Sequence, residues 1–209
     1  MLLPDQLPPF AEELATTERL VAHLRRLLTC PEDNATGGVG QPRSAAVLLP
    51  LYDRGGVPHL LFTRRATTLR AHRGEIAFPG GARDPRDRTL CETALRESYE
   101  ELGLEPLRVQ LLGTLTPVFT VVSNFLITPV VGFLAEGLGP LRPNPAEVAA
   151  IIEVPVPALA DPTIFHVEYW KRSGIIRPVY FFDYRSSRIW GATARIVYNL
   201  LQCLATSPA

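Results

Sequence analysis

The sequence predicts an α/β (α+β) domain, a mixed sheet with helices at intervals, preceded by one further helix. Two observations carry this. Short runs rich in Val, Ile, Leu and Phe recur along the chain, bounded by Gly, Pro, Asn and Asp. Between and after them, apolar residues repeat at helical spacing. Neither internal repeats nor a long polar linker interrupt the pattern.

Ala11 to Leu28 reads as a helix with a basic end at Arg25 and Arg26. Residues 31–43, PEDNATGGVGQPR, form a loop by composition. The organisation expected is therefore a helix and linker over 1–43 and the main domain over 44–209. Ala45–Tyr52 and His59–Thr63 are strand-like and joined by Asp53-Arg54-Gly55-Gly56, a hairpin signal. A short strand, Glu75–Phe78, leads into Pro79-Gly80-Gly81 and then a loop holding Asp84, Pro85 and Asp87. Leu90–Leu102 is a helix closed by Gly103. Its Cys91, Ala94, Leu95, Ser98 and Leu102 share one face, which should pack inward. Strands follow from Val109 to about Phe133. Pro145–Leu159 mixes helical and extended signals. Val167–Lys171 and Arg177–Tyr184 read as a strand pair, and Gly191–Leu204 as the last helix.

Lys plus Arg and Asp plus Glu both number 21, so the chain is not a generic nucleic-acid binder. Cys30, Cys91 and Cys203 are scattered and odd in number, which fits a reducing, cytoplasmic compartment rather than a disulfide framework. MLLPDQLPPF lacks a basic region and does not read as a signal peptide. Val109–Ala135 carries no charge and is long enough to span a bilayer. Its Pro117, Pro129, Ser123 and Asn124 instead indicate buried strands with a turn near Ser123-Asn124, and no membrane partner is expected.

The helix 90–102 ends in an acidic cluster. Glu97, Glu100 and Glu101 stand at i, i+3 and i+4, so they share one side. Arg96 can pair with Glu100 but cannot neutralise three carboxylates. The remaining charge suits a divalent cation, Mg²⁺ or Mn²⁺, which takes carboxylate oxygen and bridges to phosphate. An RExxEE run alone is most often a solvated face. Here it follows a strand, Phe78-Pro79-Gly80-Gly81 and a loop, and the glycines let backbone approach a metal or phosphate.

These residues resemble the Nudix box, G-x5-E-x7-R-E-U-x-E-E-x-G-U. Gly81, Arg96, Glu97, Glu100, Glu101, Gly103 and Leu104 match. Asp87 stands where Glu is usual, eight residues separate it from Arg96, and Ser98 takes an aliphatic position. The resemblance implies the Nudix fold, a mixed β-sheet sandwiched between helices, with the N-terminal helix as an addition.

Ahead of the acidic helix lies a basic strip, Arg64, Arg65, Arg70, His72 and Arg73, with Glu75 its one acid. Arginine recognises phosphate through a rigid fork of donors. The strip resembles the signature of coenzyme A pyrophosphatases within that superfamily, L-L-T-x-R-S-x3-R-x3-G-x3-F-P-G-G. Thr63, Arg65, Arg70, Gly74, Phe78, Pro79, Gly80 and Gly81 match, while Phe62 and Ala66 depart from it. The segment RIWGATARIV also looks like this subfamily, so the resemblance covers roughly 44–204.

The resemblance implies hydrolysis of the diphosphate of coenzyme A or acyl-coenzyme A to 3′,5′-ADP and the (acyl-)4′-phosphopantetheine. It implies metal ligation by Glu97, Glu100, Glu101 and the Gly81 carbonyl. Glu97, Glu100 and Arg96 would be catalytic, with one glutamate or an outside acid taking a proton and Arg96 orienting the carboxylates. Arg65, Arg70, Gly80 and Gly81 would bind substrate. The implied partner is a small molecule, with a homodimer as a further expectation. Other nucleoside diphosphate derivatives (ADP-ribose, dinucleotide polyphosphates, NTPs) and a non-catalytic binding module are the alternatives. Glu147 and, more weakly, Glu75 are candidates for an acid recruited from outside the box. Cys91 should be core. Phe165, Tyr169 and Trp170 are packing residues first and base-stacking candidates second.

Overall fold

The computed structural model describes residues 6–30, 41–67, 73–172 and 174–205. Among them the chain begins with a 3-10 turn at Glu12–Ala15 and helix α1 at Thr17–Leu27. The expected helix over 11–28 is thus broken at Thr16, whose backbone is extended. The Thr17 hydroxyl donates to Asp53, which ties the start of α1 to the first hairpin.

That hairpin pairs β1 (Arg43–Arg54) with β2 (Val57–Arg65) through a turn at Gly55-Gly56. Strand β3 (Ile76–Ala77) then lies against the end of β2. The glycine pair that follows is itself a strand, β4 (Gly80–Ala82), antiparallel to the start of β1. Helix α2 (Leu90–Leu102) comes next. Strands β5 (Gln110–Thr114) and β6 (Val118–Thr120) pair with β7 (Phe125–Leu134), and a turn through Ser123-Asn124 joins the last two. The uncharged stretch is therefore strand and turn, and no helix of the described residues is long and apolar enough to cross a membrane.

β7 runs parallel to β1 from Arg43↔Phe125 to Tyr52↔Leu134. β8 (Val148–Pro155) pairs with β2 on its far edge, which resolves the ambiguous 145–159 stretch as a strand followed by the one-turn helix α3 (Val156–Leu159). A second, antiparallel sheet joins β9 (Phe165–Arg172), β10 (Ile175–Tyr184) and β11 (Ser187–Trp190). Helix α4 (Gly191–Ala205) closes the chain.

Two apolar layers sandwich the main sheet. On one side Leu20, Val21 and Leu24 of α1 and Val197, Leu200 and Leu201 of α4 bury against Leu49, Leu51, Leu60 and Phe62. Tyr180, Phe182 and Ile189 of the small sheet join that same core. On the other side Cys91, Ala94 and Leu102 of α2 cover Ala46, Leu48, Leu61 and Val130. The inward stripe expected of α2 is observed, and Ser98 within it donates to the Ala94 carbonyl at 2.7 Å. Thr89 caps the helix by accepting from the Glu92 amide. Gly103 ends it in the left-handed conformation, its N–H on the Tyr99 carbonyl. The mixed sheet between helices is the fold anticipated.

Candidate active site

The pairing of β4 with β1 brings Gly80 and Gly81 beneath the C-terminal half of α2. Each position excludes a side chain for a different reason. A Cβ on Gly80 would stand 2.3 Å from the Ala46 carbonyl oxygen, inside the sheet. A Cβ on Gly81 would stand 2.5 Å from the Glu97 carboxylate. Backbone at Gly81 and carboxylate at Glu97 therefore share one small space, a cradle that any larger residue would fill.

Arg96 organises the acidic face. Its Nε and Nη2 donate to Asp87 at 3.0 and 2.9 Å, and Nη2 also reaches the Ala82 carbonyl at 3.1 Å. Its Nη1 donates to Glu97 at 2.9 Å and to Glu100 at 3.2 Å. Asp87 is buried and accepts further from the Thr93 hydroxyl and the Asp84 amide, each at 2.9 Å. Burial works to raise its pKa, but these hydrogen bonds, Arg96 foremost, outweigh burial and hold it below the usual aspartate value. Asp87 thus anchors the arginine that positions the glutamates.

The three glutamates differ in environment. Glu100 is the outermost, with its side chain 53 % exposed. Glu97 is half-buried, and burial raises its pKa against the pull of Arg96. Glu101 is only 4 % exposed. Burial lifts its pKa to about 8, with the neighbouring Glu147 and Glu97 adding to the rise and Arg65 and the Gly80 amide opposing it. Its Oε2 is buried with no hydrogen-bond partner. Arg65, close enough to act on that carboxylate, likewise buries an Nε with no partner.

Arg64 and Arg65 part company at an irregularity in the β2–β8 ladder. Arg65 faces the glutamates, while Arg64 donates to Ser187 of the small sheet at 3.3 Å. Arg70 and His72 lie outside the described residues. Glu147 is brought in from the loop before β8. Its side chain accepts from Asn144 at 3.2 Å, and the Asn144 amide donates to the Glu101 carbonyl at 2.8 Å. The backbone carbonyl of Glu75 accepts from the Arg65 amide. Cys91 is core, its thiol pushed up to about 12 by burial. Phe165 packs among Tyr180, Phe182 and Tyr198, whereas Tyr169 and Trp170 remain exposed.

Among the described residues no three acidic, His or Cys side chains are gathered into a finished metal cluster. Arg96 engages Glu97 and Glu100 instead. The donor set nonetheless fits a hard divalent cation. It is all oxygen, it holds one buried carboxylate oxygen without a partner, and it faces a backbone cradle that only glycine leaves open. Two features escaped the sequence reading. The role of Asp87 was masked by the longer loop, and its one signal was the Arg96 that follows. The burial of Glu101 was hidden among three like residues.

A family model described as the NUDIX domain matches residues 41–171. A Nudix hydrolase from Photorhabdus laumondii, NudL, named as uncharacterised, is 46 % identical over 160 residues, covering 77 % of this chain and 84 % of that protein. A NudL of the same description from Pectobacterium atrosepticum is 41 % identical over 170 residues, covering 81 % and 87 %. Among solved structures, a MutT/nudix family protein from Enterococcus faecalis superposes with a TM-score of 0.50 at 13 % identity, over 82 % of this chain and 63 % of that one, a likeness of fold alone.

Proposed function

The chain belongs to the NUDIX domain family, and from that premise we propose that it cleaves the diphosphate of coenzyme A or its thioesters. It is a Nudix hydrolase, acting on the pyrophosphate bond of a nucleoside diphosphate derivative. The narrower reading joins the basic-strip signature ending at Phe78-Pro79-Gly80-Gly81 to one structural observation. A buried carboxylate oxygen of Glu101 and a buried guanidinium nitrogen of Arg65, neither with a partner, lie within electrostatic reach of each other. Buried polar atoms are normally satisfied. A cation completes the first and a phosphate oxygen the second.

Nudix hydrolases use divalent metal ions, and here Glu97, Glu101 and Glu100, with the Gly81 carbonyl, would hold Mg²⁺ or Mn²⁺. When bound, the ion supplies Lewis-acid polarisation of a phosphoryl oxygen and a more acidic water. The chain's own residues do the rest. Arg65 binds the diphosphate and offsets its charge. Arg96, fixed by Asp87, keeps Glu97 and Glu100 oriented. Water adds to one phosphorus, the bridging P–O bond breaks, and the other phosphate leaves as the anion. Glu97 and Glu100 are the carboxylates available to take the proton of that water. Glu147 stands beside the site as a further acid. The products are 3′,5′-ADP and 4′-phosphopantetheine, or its acyl form.

The test is mass spectrometry of the products formed from coenzyme A in ¹⁸O-water with Mg²⁺ or Mn²⁺, run beside ADP-ribose. One ¹⁸O in a single product, with coenzyme A turned over faster than ADP-ribose, is the expected result. Faster turnover of ADP-ribose would reassign the substrate. Mn²⁺ binding without cleavage of either compound would remove the catalytic reading.

A further inference from the structure

The outer face of the small sheet carries a cleft of about 300 Å³ lined by Glu168, Trp170, Phe181, Arg188 and Trp190. Strand alternation explains its position. Tyr180, Phe182 and Ile189 point into the core shared with α1 and α4, so Phe181, Arg188 and Trp190 point the opposite way. On the main sheet that opposite side is the one covered by α2, which carries the glutamates. β11 lies against β3, and the Arg64–Ser187 hydrogen bond joins the two sheets at that edge. The cleft thus lies on the sheet whose β11 edge adjoins β3.

The cleft is built of rings held in place. Buried Phe181 is the floor, with the Trp190 ring 6.3 Å away and nearly parallel. Trp170 and Trp190 stand 5.8 Å apart, tilted by 44°. The Trp170 indole N–H donates to Glu168 at 2.7 Å, which fixes a ring that is still 46 % exposed. Arg188 is held by Asp183 through two hydrogen bonds, at 2.7 and 3.1 Å. The charged rim disfavours a hydrocarbon surface. The volume is at the lower end for ligand pockets and suits a single ring system.

We propose that this cleft is the subsite for the nucleobase of the substrate, stacked against Trp170 and Trp190. The assignment rests on reading the substrate as a nucleoside diphosphate derivative and adds where its base is held. Every nucleobase has a π-face that stacks on an indole, and stacking is worth about 1–3 kcal/mol per base. The Glu168 carboxylate can accept from an exocyclic amine.

Trp170→Ala and Trp170→Phe test it. KM and kcat are measured with coenzyme A, and the dissociation constant of 3′,5′-ADP is measured by calorimetry. Trp170→Ala should raise both KM and the dissociation constant at least about fivefold, with kcat nearly unchanged. Trp170→Phe, which keeps a ring, should recover most of the loss. A folded Trp170→Ala protein with unaltered KM and dissociation constant overturns the subsite. So does a change seen only in self-association by sedimentation, which would make this face an interface between copies. If coenzyme A is not hydrolysed but 3′,5′-ADP still binds in a Trp170-dependent way, the substrate reading fails and the cleft assignment stands.

Discussion

Arg96 grips Asp87 with two donors, Nε at 3.0 Å and Nη2 at 2.9 Å, while its third nitrogen holds Glu97. The pair is poorly exposed, and removing one partner of such a pair leaves the other short of hydrogen bonds. Asp87→Asn should therefore lower stability at pH 7 by about 2 kcal/mol or more. It should also lower kcat, because Arg96 is no longer fixed. The sign with pH follows from the depressed pKa of Asp87. Its contribution is present above the ordinary aspartate value near 4 and fades as pH falls through the lower folded value. Urea unfolding of both proteins should show a gap that narrows below about pH 4. A gap of constant size down to pH 3 would contradict this account.

Glu101→Gln separates catalysis from stability. The variant should lose more than about tenfold in kcat, since it removes the buried carboxylate proposed for the cation. In the metal-free protein the effect on folding should run the other way. The folded pKa of about 8 lies above the unfolded value. The wild type therefore loses stability as pH rises between those two values, and glutamine does not. Thermal melts at pH 5 and pH 8.5 in a chelator should place the variant nearer to, then above, the wild type. Mn²⁺ should stabilise the wild type at pH 8.5 and stabilise the variant much less. Equal Mn²⁺ stabilisation of both proteins would move the cation site elsewhere.

Local signals made part of this site legible in the sequence. The end of helix α2 could be placed because Gly103 closes it through neighbours in sequence, and its apolar stripe follows from spacing alone. What depends on contacts between distant segments was not legible. Three glutamates at adjacent helical positions look alike on paper, yet Glu101 is buried and Glu100 exposed because β4 and the loop before β8 cover only one edge of the helix. Arg64 and Arg65 read as one basic strip, yet as neighbours on strand β2 they face opposite ways and reach different partners. Trp190 gained significance only when β9 and β10 placed Trp170 and Phe181 beside it.

Arg65→Lys probes which phosphate the guanidinium binds. Lysine keeps the charge but loses the planar fork and the Nε donor now buried without a partner. Because Arg65 acts on Glu101, the role proposed for it is at the diphosphate rather than at a distant 3′-phosphate. The variant should lose about tenfold or more in kcat/KM. The loss should be the same for coenzyme A and dephospho-coenzyme A. A loss confined to coenzyme A would mean that Arg65 reads the 3′-phosphate.

Gly81→Ala tests the cradle with one methyl group. The new Cβ would meet the Glu97 carboxylate carbon and one oxygen at 2.5 Å and its other oxygen at 2.7 Å, distances that cannot persist. The β4 backbone is paired to β1 and cannot retreat freely, so the carboxylate must move. Glu97 is bonded to Arg96, and Arg96 to Asp87, so its displacement loosens the ordered face of α2. Glu97 is half-buried rather than sealed in the core, so a rotamer change can relieve the clash at a cost of about 1 kcal/mol. The expected outcome is a melting temperature lowered by only a few degrees, with Mn²⁺ affinity and kcat both falling by about tenfold or more. Gly80→Ala is the control, because its Cβ strikes the Ala46 carbonyl and the Val47 backbone. That variant should be destabilised far more than Gly81→Ala. Full activity in folded Gly81→Ala would show that neither the Gly81 backbone nor the present position of Glu97 serves the reaction.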